Sequence, residues 1–255
     1  MRFWITSLSI AIIVVTVALK LPPHKVTVYL IGDSTIAIKE KKTYPETGWG
    51  MPFANYFDST VTVDNRAKNG RSTKTFITED LWKPVAAGMK AGDYLLIQFG
   101  HNDEVPTKKS YTTEAEFKNN LITYIKGAQA KQAIPVLITP VARRRFDSTG
   151  HVVSTHTIYA QIVRNLAKEQ NLLLMDLDRQ SQQLLQQLGV EQSKFLYNHL
   201  EPGQNPNYPK GVKDDTHFSE LGARRMAELV LKSLQELKLE LANRIVNSKQ
   251  DKIAN

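Results

Sequence analysis

The feature that most constrains this chain is an alternation of two kinds of segment along most of its length. Residues 25–31, 61–64, 94–99, 134–139 and 172–176 are short apolar runs, and each closes on a polar or glycine-containing turn. Runs of this length and composition read as buried strands. Between them, residues 49–57, 79–90, 114–131 and 159–170 carry apolar side chains at helical spacing. Strands alternating with helices pair in parallel through right-handed crossovers, and the helices cover both faces of the sheet. The expectation is a three-layer α/β/α domain built on a parallel sheet of about five strands. A final helix is predicted over residues 219–242, with Leu221, Met226, Leu229, Val230, Leu234, Leu237 and Leu241 forming one apolar stripe that docks on the sheet.

With 255 residues and 42% hydrophobic content, the chain can bury one sizeable core, and no repeat or linker divides it. The domain is placed at residues 23–242, with a polar tail over 243–255. Residues 3–19 carry no charge, follow Met1 and Arg2, and end at Lys20 and the Pro22-Pro23 pair. Residues 1–22 therefore read as a signal peptide or, if retained, as a membrane anchor. Either reading puts the protein in the periplasm, the medium or at a membrane surface. The absence of cysteine excludes a disulfide framework, a thiolate metal site and a cysteine nucleophile. An excess of 33 basic over 25 acidic residues gives a formal charge of +8 and favours polyanionic surroundings. Export counts against nucleic acid among these, leaving an acidic polysaccharide or, with a retained anchor, a membrane. A monomer is expected.

Open parallel sheets bind ligands beyond the carboxyl ends of their strands, and here those positions are unusually polar. Ser34 follows the first run in Gly32-Asp33-Ser34, where a hydroxyl at a turn is exposed and close to backbone N–H groups. A serine nucleophile needs a base, and His217 in Asp214-Asp215-Thr216-His217 is the clearest candidate, in a loop just ahead of the last helix. Asp214 stands three residues earlier, a spacing that lets its carboxylate meet the imidazole, while Asp215 suits a surface or capping role better. Donors for a developing oxyanion are offered by Gly70, by the Asn102 amide and by the Ser34 N–H.

The blocks Gly32-Asp33-Ser34, Asn69-Gly70-Arg71-Ser72, Gly100-His101-Asn102-Asp103 and Asp214-Asp215-Thr216-His217 resemble the four signature blocks of the SGNH, or GDSL, hydrolase superfamily. Within it the chain looks most like the rhamnogalacturonan acetylesterases, on Gly48-Trp49-Gly50, Asn65-Arg66-Ala67, Gln98 to Asp103, Thr139 to Arg144 and Asp215 to Ser219. The resemblance implies a flavodoxin-like sheet, Ser34 as nucleophile, His217 as base and Asp214 as its partner. It also implies Ser34, Gly70 and Asn102 as the oxyanion hole, no metal or other cofactor, and acetyl esters on pectic polysaccharide as substrate.

Further candidates are weaker. Arg143, Arg144 and Arg145 end the fourth run, where guanidinium groups suit substrate carboxylates or, equally, structural ion pairs. Tyr208, in a loop expected to be exposed, suits stacking on a sugar ring better than Trp49 or Tyr44 do. His101 reads as a hydrogen bond holding its loop, and His151 and His156 have no acidic partner at a useful spacing. A metal centre of Asp33, Asp103, Asp214 and His217 is the rival chemistry, unsupported by any His-Glu-x-x-His or calcium-loop pattern. The alternatives to a carbohydrate acetylesterase are an acetylxylan esterase, a lipase- or thioesterase-like enzyme and a non-catalytic glycan-binding relative.

Overall fold

The computed structural model describes residues 24–246, so the signal or anchor segment lies outside the described residues. Strand β1 (Val26–Gly32) alternates its side chains between two apolar layers: Val28 and Leu30 enter one buried cluster, Tyr29 and Ile31 the other. Beside it run β2 (Val61–Asn65) and β3 (Tyr94–Gln98), followed outward by β4 (Ile134–Ile138) and β5 (Leu173–Met175). All neighbours are parallel, in the order β2-β1-β3-β4-β5. This is the flavodoxin-like order, whose switch point, the place where a crevice opens, lies between β1 and β3.

One face of the sheet is covered by side chains of α2 (Thr73–Thr78), α3 (Trp82–Gly88), α4 (Glu114–Ala130) and α5 (Thr157–Glu169). In α4 the buried Phe117, Leu121, Tyr124, Ile125 and Ala128 recur at helical spacing, and a Thr113/Glu116 capping box satisfies the first free N–H groups. The other face receives α1 (Gly50–Phe53), α6 (Leu177–Gln192) and α7 (Glu220–Glu236).

All five expected strands are present; the helices depart further from expectation. The helix expected over 49–57 is one turn of α1 followed by a 3₁₀ turn, Ala54–Tyr56. That expected over 79–90 is shorter, α3 alone, because Asp80 takes φ 57 between α2 and α3 and delays the helix to Trp82. The last helix stops at Glu236, where Lys238 takes φ 52, and Leu241 is buried from a separate 3₁₀ turn, Glu240–Arg244. Leu221, placed on the apolar stripe, is 47% exposed. Residues 243–246, assigned above to the tail, pack onto the body: Arg244 donates to the His24 carbonyl at 2.6 Å and the Val246 N–H to that of Tyr56 at 2.8 Å.

Three features were not anticipated. Helices α2 and α6 have no counterpart among the expected helices, and the stretch before α7 is a hairpin rather than loop: β6 (Tyr197–Leu200) pairs antiparallel with β7 (Val212–Phe218). This hairpin is tied to the sheet's carboxyl end. The Tyr197 hydroxyl donates to the Ala142 carbonyl at 2.8 Å, the Arg144 N–H to that of Asp215 at 2.8 Å and the Thr47 N–H to that of Phe218 at 2.9 Å.

Candidate active site

The hairpin lays its second strand across the switch point and brings His217 to Ser34, 183 residues away in sequence. Ser34 Oγ lies 2.9 Å from His217 Nε2, and His217 Nδ1 lies 2.7 Å from Asp214 Oδ2. An ionised carboxylate only accepts, so Nδ1 carries the proton and Nε2 presents its lone pair to the serine hydroxyl. Burial alone would raise the Asp214 pKa. The His217 hydrogen bond and charge, with N–H donors from His217 at 3.0 Å and Thr216 at 2.7 Å, outweigh it and hold Asp214 at about 2. His217 thus sits in a strand, where the sequence suggested a loop, and Asp214 rather than Asp215 is its partner. Asp215 instead accepts from Arg144 Nη1 and from His199 Nε2, each at 2.8 Å.

The turn carrying Ser34 is held from beneath. Asp33 is buried, and its Oδ1 accepts the Thr35 N–H at 2.9 Å and the Thr35 hydroxyl at 2.8 Å. Gln98, at the end of β3, donates to Thr35 Oγ1 at 2.7 Å and accepts from the indole of Trp49 at 3.0 Å. Trp49 is fully buried in this role and offers no face to a sugar. Gly32 is required because a Cβ there would overlap the Gln98 carbonyl and the Ile36 side chain.

Of the three groups expected as oxyanion donors, Ser34 lies on this turn, and the loops carrying Gly70 and Asn102 reach it through the Lys68 N–H on the Gly32 carbonyl at 3.1 Å and through His101 against Asp33 at 3.3 Å. The Ser34 N–H is free of hydrogen bonds to the described residues. So is the Gly70 N–H, in an exposed turn at φ 76, a left-handed conformation natural to glycine. Asn102 is buried at 5% exposure, its amide giving one N–H to the Arg71 carbonyl at 3.1 Å and leaving the other open.

Behind the site runs a line of buried titratable groups that the sequence reading did not connect. His101 Nδ1 comes within 3.3 Å of Asp33 Oδ2, and the His101 ring packs on His156 with centroids 4.3 Å apart. His156 does have an acidic partner, Glu104, at 2.9 Å; the two stand 52 residues apart, so spacing along the chain held no signal. His151 has only an exposed Asp147 at 4.0 Å. Burial pushes His101 down to about 4, so at neutral pH it is an uncharged imidazole. The residues of the rival metal centre are separately engaged: Asp33 with Thr35 and His101, and Asp103 with Thr73 and Thr112. Among the described residues no three His, Asp or Glu side chains are arranged to hold a metal ion.

A cavity of about 750 Å³ reaches β7 at Asp215 and Thr216, between the triad's Asp214 and His217 in sequence, and is lined by Glu104, Arg143, Arg144, Arg145 and Thr155 among others, but by no member of the triad. Two of its arginines have internal partners. Arg143 donates to Thr216 Oγ1 at 2.7 Å and lies 3.5 Å from Glu104 Oε1. Arg144 bonds Asp215, Ser193 Oγ and the Val190 carbonyl, so its guanidinium braces β7. Arg145 is exposed and has no such partner among the described residues. Tyr208 is half-buried, its hydroxyl tied to the Thr43 carbonyl at 2.9 Å, which clasps its loop against residues 41–44.

A hydrogen-bonded Ser-His-Asp triad at the switch point of a flavodoxin-like sheet defines a class: the protein is a carboxylic ester hydrolase. Comparison with known proteins narrows the class. The chain belongs to the GDSL-like lipase/acylhydrolase family, whose model matches residues 30–225. It is 40% identical to a rhamnogalacturonan acetylesterase of Bacillus subtilis, RhgT, over 87% of this chain and 95% of that one. A probable rhamnogalacturonan acetylesterase of the same organism, YesY, is 34% identical over 87% of this chain and 98% of its own. The crystal structure of B. subtilis YxiM superposes with a TM-score of 0.74 at 29% identity, covering 86% of this chain; this chain spans only 59% of that one. An acetylxylan esterase from Geobacillus stearothermophilus shares the fold, with a TM-score of 0.59 at 16% identity over 83% of this chain and 94% of that one.

Proposed function

We propose that this protein removes acetyl groups from an acidic pectic polysaccharide of the rhamnogalacturonan kind, acting outside the cytoplasm as a monomer. The observation that carries the chemistry is the unbroken relay from Ser34 through His217 to Asp214, at 2.9 and 2.7 Å. In the first step His217 Nε2 takes the hydroxyl proton as Ser34 Oγ attacks the acetyl carbonyl. The tetrahedral oxygen receives N–H donors from Ser34, Gly70 and Asn102. The bond to the sugar oxygen then breaks, and the proton on His217 passes to that oxygen. Water repeats the sequence on the acetyl-serine and releases acetate.

The choice of substrate is supported by the two B. subtilis relatives, whose names specify rhamnogalacturonan. The formal charge of +8 and the exposed, unpaired Arg145 in the cavity against β7 suit the carboxylates of such a polymer. Export rests on the uncharged run of residues 3–19. The test is acetate release from acetylated rhamnogalacturonan, acetylated homogalacturonan and acetylated xylan, with p-nitrophenyl esters of increasing acyl length alongside. The expected preference is for rhamnogalacturonan and for acetyl. Ser34→Ala should abolish turnover while circular dichroism stays native; a folded variant of full activity would remove Ser34 from the mechanism, and a preference for long acyl chains would replace the acetylesterase by a lipase.

A further inference from the structure

In the mechanism proposed above for the serine esterase, Gly70 would donate through a peptide that packing leaves almost unconstrained. It is exposed, and no atom lies within 4 Å of where its Cβ would be. An unrestrained N–H makes a poor oxyanion donor, since such donors work by being aimed before charge develops. The N–H of Gly70 shares a planar trans peptide with the carbonyl of Asn69, so whatever fixes one end fixes the other. The Asn69 carbonyl accepts from Arg71 Nη1 at 2.8 Å, and Arg71 is itself braced on Glu79 by two bonds of 2.9 and 2.6 Å. The Asn69 side chain is held from the opposite direction, by Lys39.

Lys39 is unusual for a lysine. Its side chain is 2% exposed, and its ammonium lies 3.0 Å from Asn69 Oδ1 and 2.6 Å from Glu46 Oε1. Burying that charge costs several kcal/mol unless the site compensates it, and here Glu46 and Asn69 are the groups that do so. Glu46 stands on a segment stitched to the catalytic strand, since the next residue, Thr47, donates its N–H to the carbonyl of Phe218, adjacent to His217. Lys39 itself lies on the loop that leaves Ser34.

We propose that the buried Lys39–Glu46 pair is a positioning device for the oxyanion donor: through Asn69 it aims the Gly70 N–H and ties that aim to the strand carrying His217. The device rests on the serine-esterase reading of the site. It acts in the transition state, where the carbonyl oxygen becomes charged, and so bears on kcat more than on KM.

Asn69 is exposed, so Asn69→Ala cuts the link without opening the core. With p-nitrophenyl acetate it should lower kcat about tenfold at little change in KM, a fraction of the loss expected when a donor is removed outright. Lys39→Met should do the same, and the Lys39→Met/Asn69→Ala double variant should be no slower than Lys39→Met alone, because both cut one connection. Lys39→Met leaves Glu46 without its partner, so a Lys39→Met/Glu46→Gln variant serves if that protein fails to fold. Full kcat in Asn69→Ala, or multiplicative losses in the double variant, would overturn the inference while an active wild type leaves the esterase reading standing. An inactive wild type would overturn both.

Discussion

Asp33 and Asp103 are both fully buried, yet they titrate in opposite directions. Burial favours the neutral form of each. For Asp33 it is outweighed by His101 and by the two Thr35 donors, and the pKa falls below the ordinary carboxylate range. For Asp103 burial wins over hydrogen bonds from Thr73 and Thr112, and the pKa rises to about 7. The consequence for stability has a definite sign. Above pH 4 the unfolded chain loses the Asp103 proton while the native protein keeps it, so this residue's contribution is present in acid and is lost as pH rises towards 7. The loss is on the order of 4 kcal/mol at most. Asp103→Asn cannot ionise, and melting temperatures from pH 4 to 8 should show the variant gaining on the wild type as pH rises; parallel curves would refute the assignment. At this scale the sequence was most legible for the triad, because Ser34, Asp214 and His217 each sit at a strand end or at a spacing with chemical meaning. It was least legible for Glu104 and His156, Lys39 and Asn69, which meet only because separate loops converge.

The elements missed in the sequence are those whose pattern is weak without their neighbours. In α6 the apolar positions are interleaved with glutamines, and only Leu177, Leu185 and two small or polar residues are fully buried. In β7 the segment Lys213-Asp214-Asp215-Thr216-His217 has no apolar alternation, because its residues face the site and its tethers rather than a core. What makes it a strand is pairing with β6 and the bonds that Arg144 and Thr47 supply from outside. The same reasoning singles out Gly222, in the first turn of α7. A Cβ there would overlap the backbone carbonyl of Leu196, which also receives the Ser219 N–H at 3.1 Å. Backbone cannot rotate aside as a side chain does. Gly222→Ala should therefore destabilise the protein by about 2 kcal/mol or more despite alanine's better helix propensity, read from a lower urea midpoint. A gain in stability would mean that α7 approaches the turn after α6 less closely.

Across the whole molecule, charge is distributed so that most of the active-face cations are already answered. Arg143 lies beside Glu104, Arg144 is paired with Asp215, and Lys39 with Glu46. These pairs organise the site and leave little net field for a substrate. Arg145 is different, since it lines the cavity next to Thr216, is exposed, and keeps its guanidinium unpaired among the described residues. The sequence placed three arginines at the end of the fourth strand but held no signal to distinguish them, because the distinction lies in the partners that the β6–β7 hairpin brings. If carboxylates of an acidic polymer are read in this cavity, Arg145 is the group free to form the paired hydrogen bonds that guanidinium offers. Its contribution is exposed to solvent and therefore screened: the Debye length shrinks from about 10 Å at 0.1 M salt to about 3 Å at 1 M. Raising salt over that range should raise KM for acetylated rhamnogalacturonan while leaving KM for the uncharged p-nitrophenyl acetate nearly constant. Arg145→Ala should raise KM for the polymer relative to that for the small ester by roughly fivefold at low salt, and the gap should close at high salt. A gap that persists at high salt would mean that Arg145 shapes the cavity by packing, and equal effects on both substrates would place it outside the polymer's path.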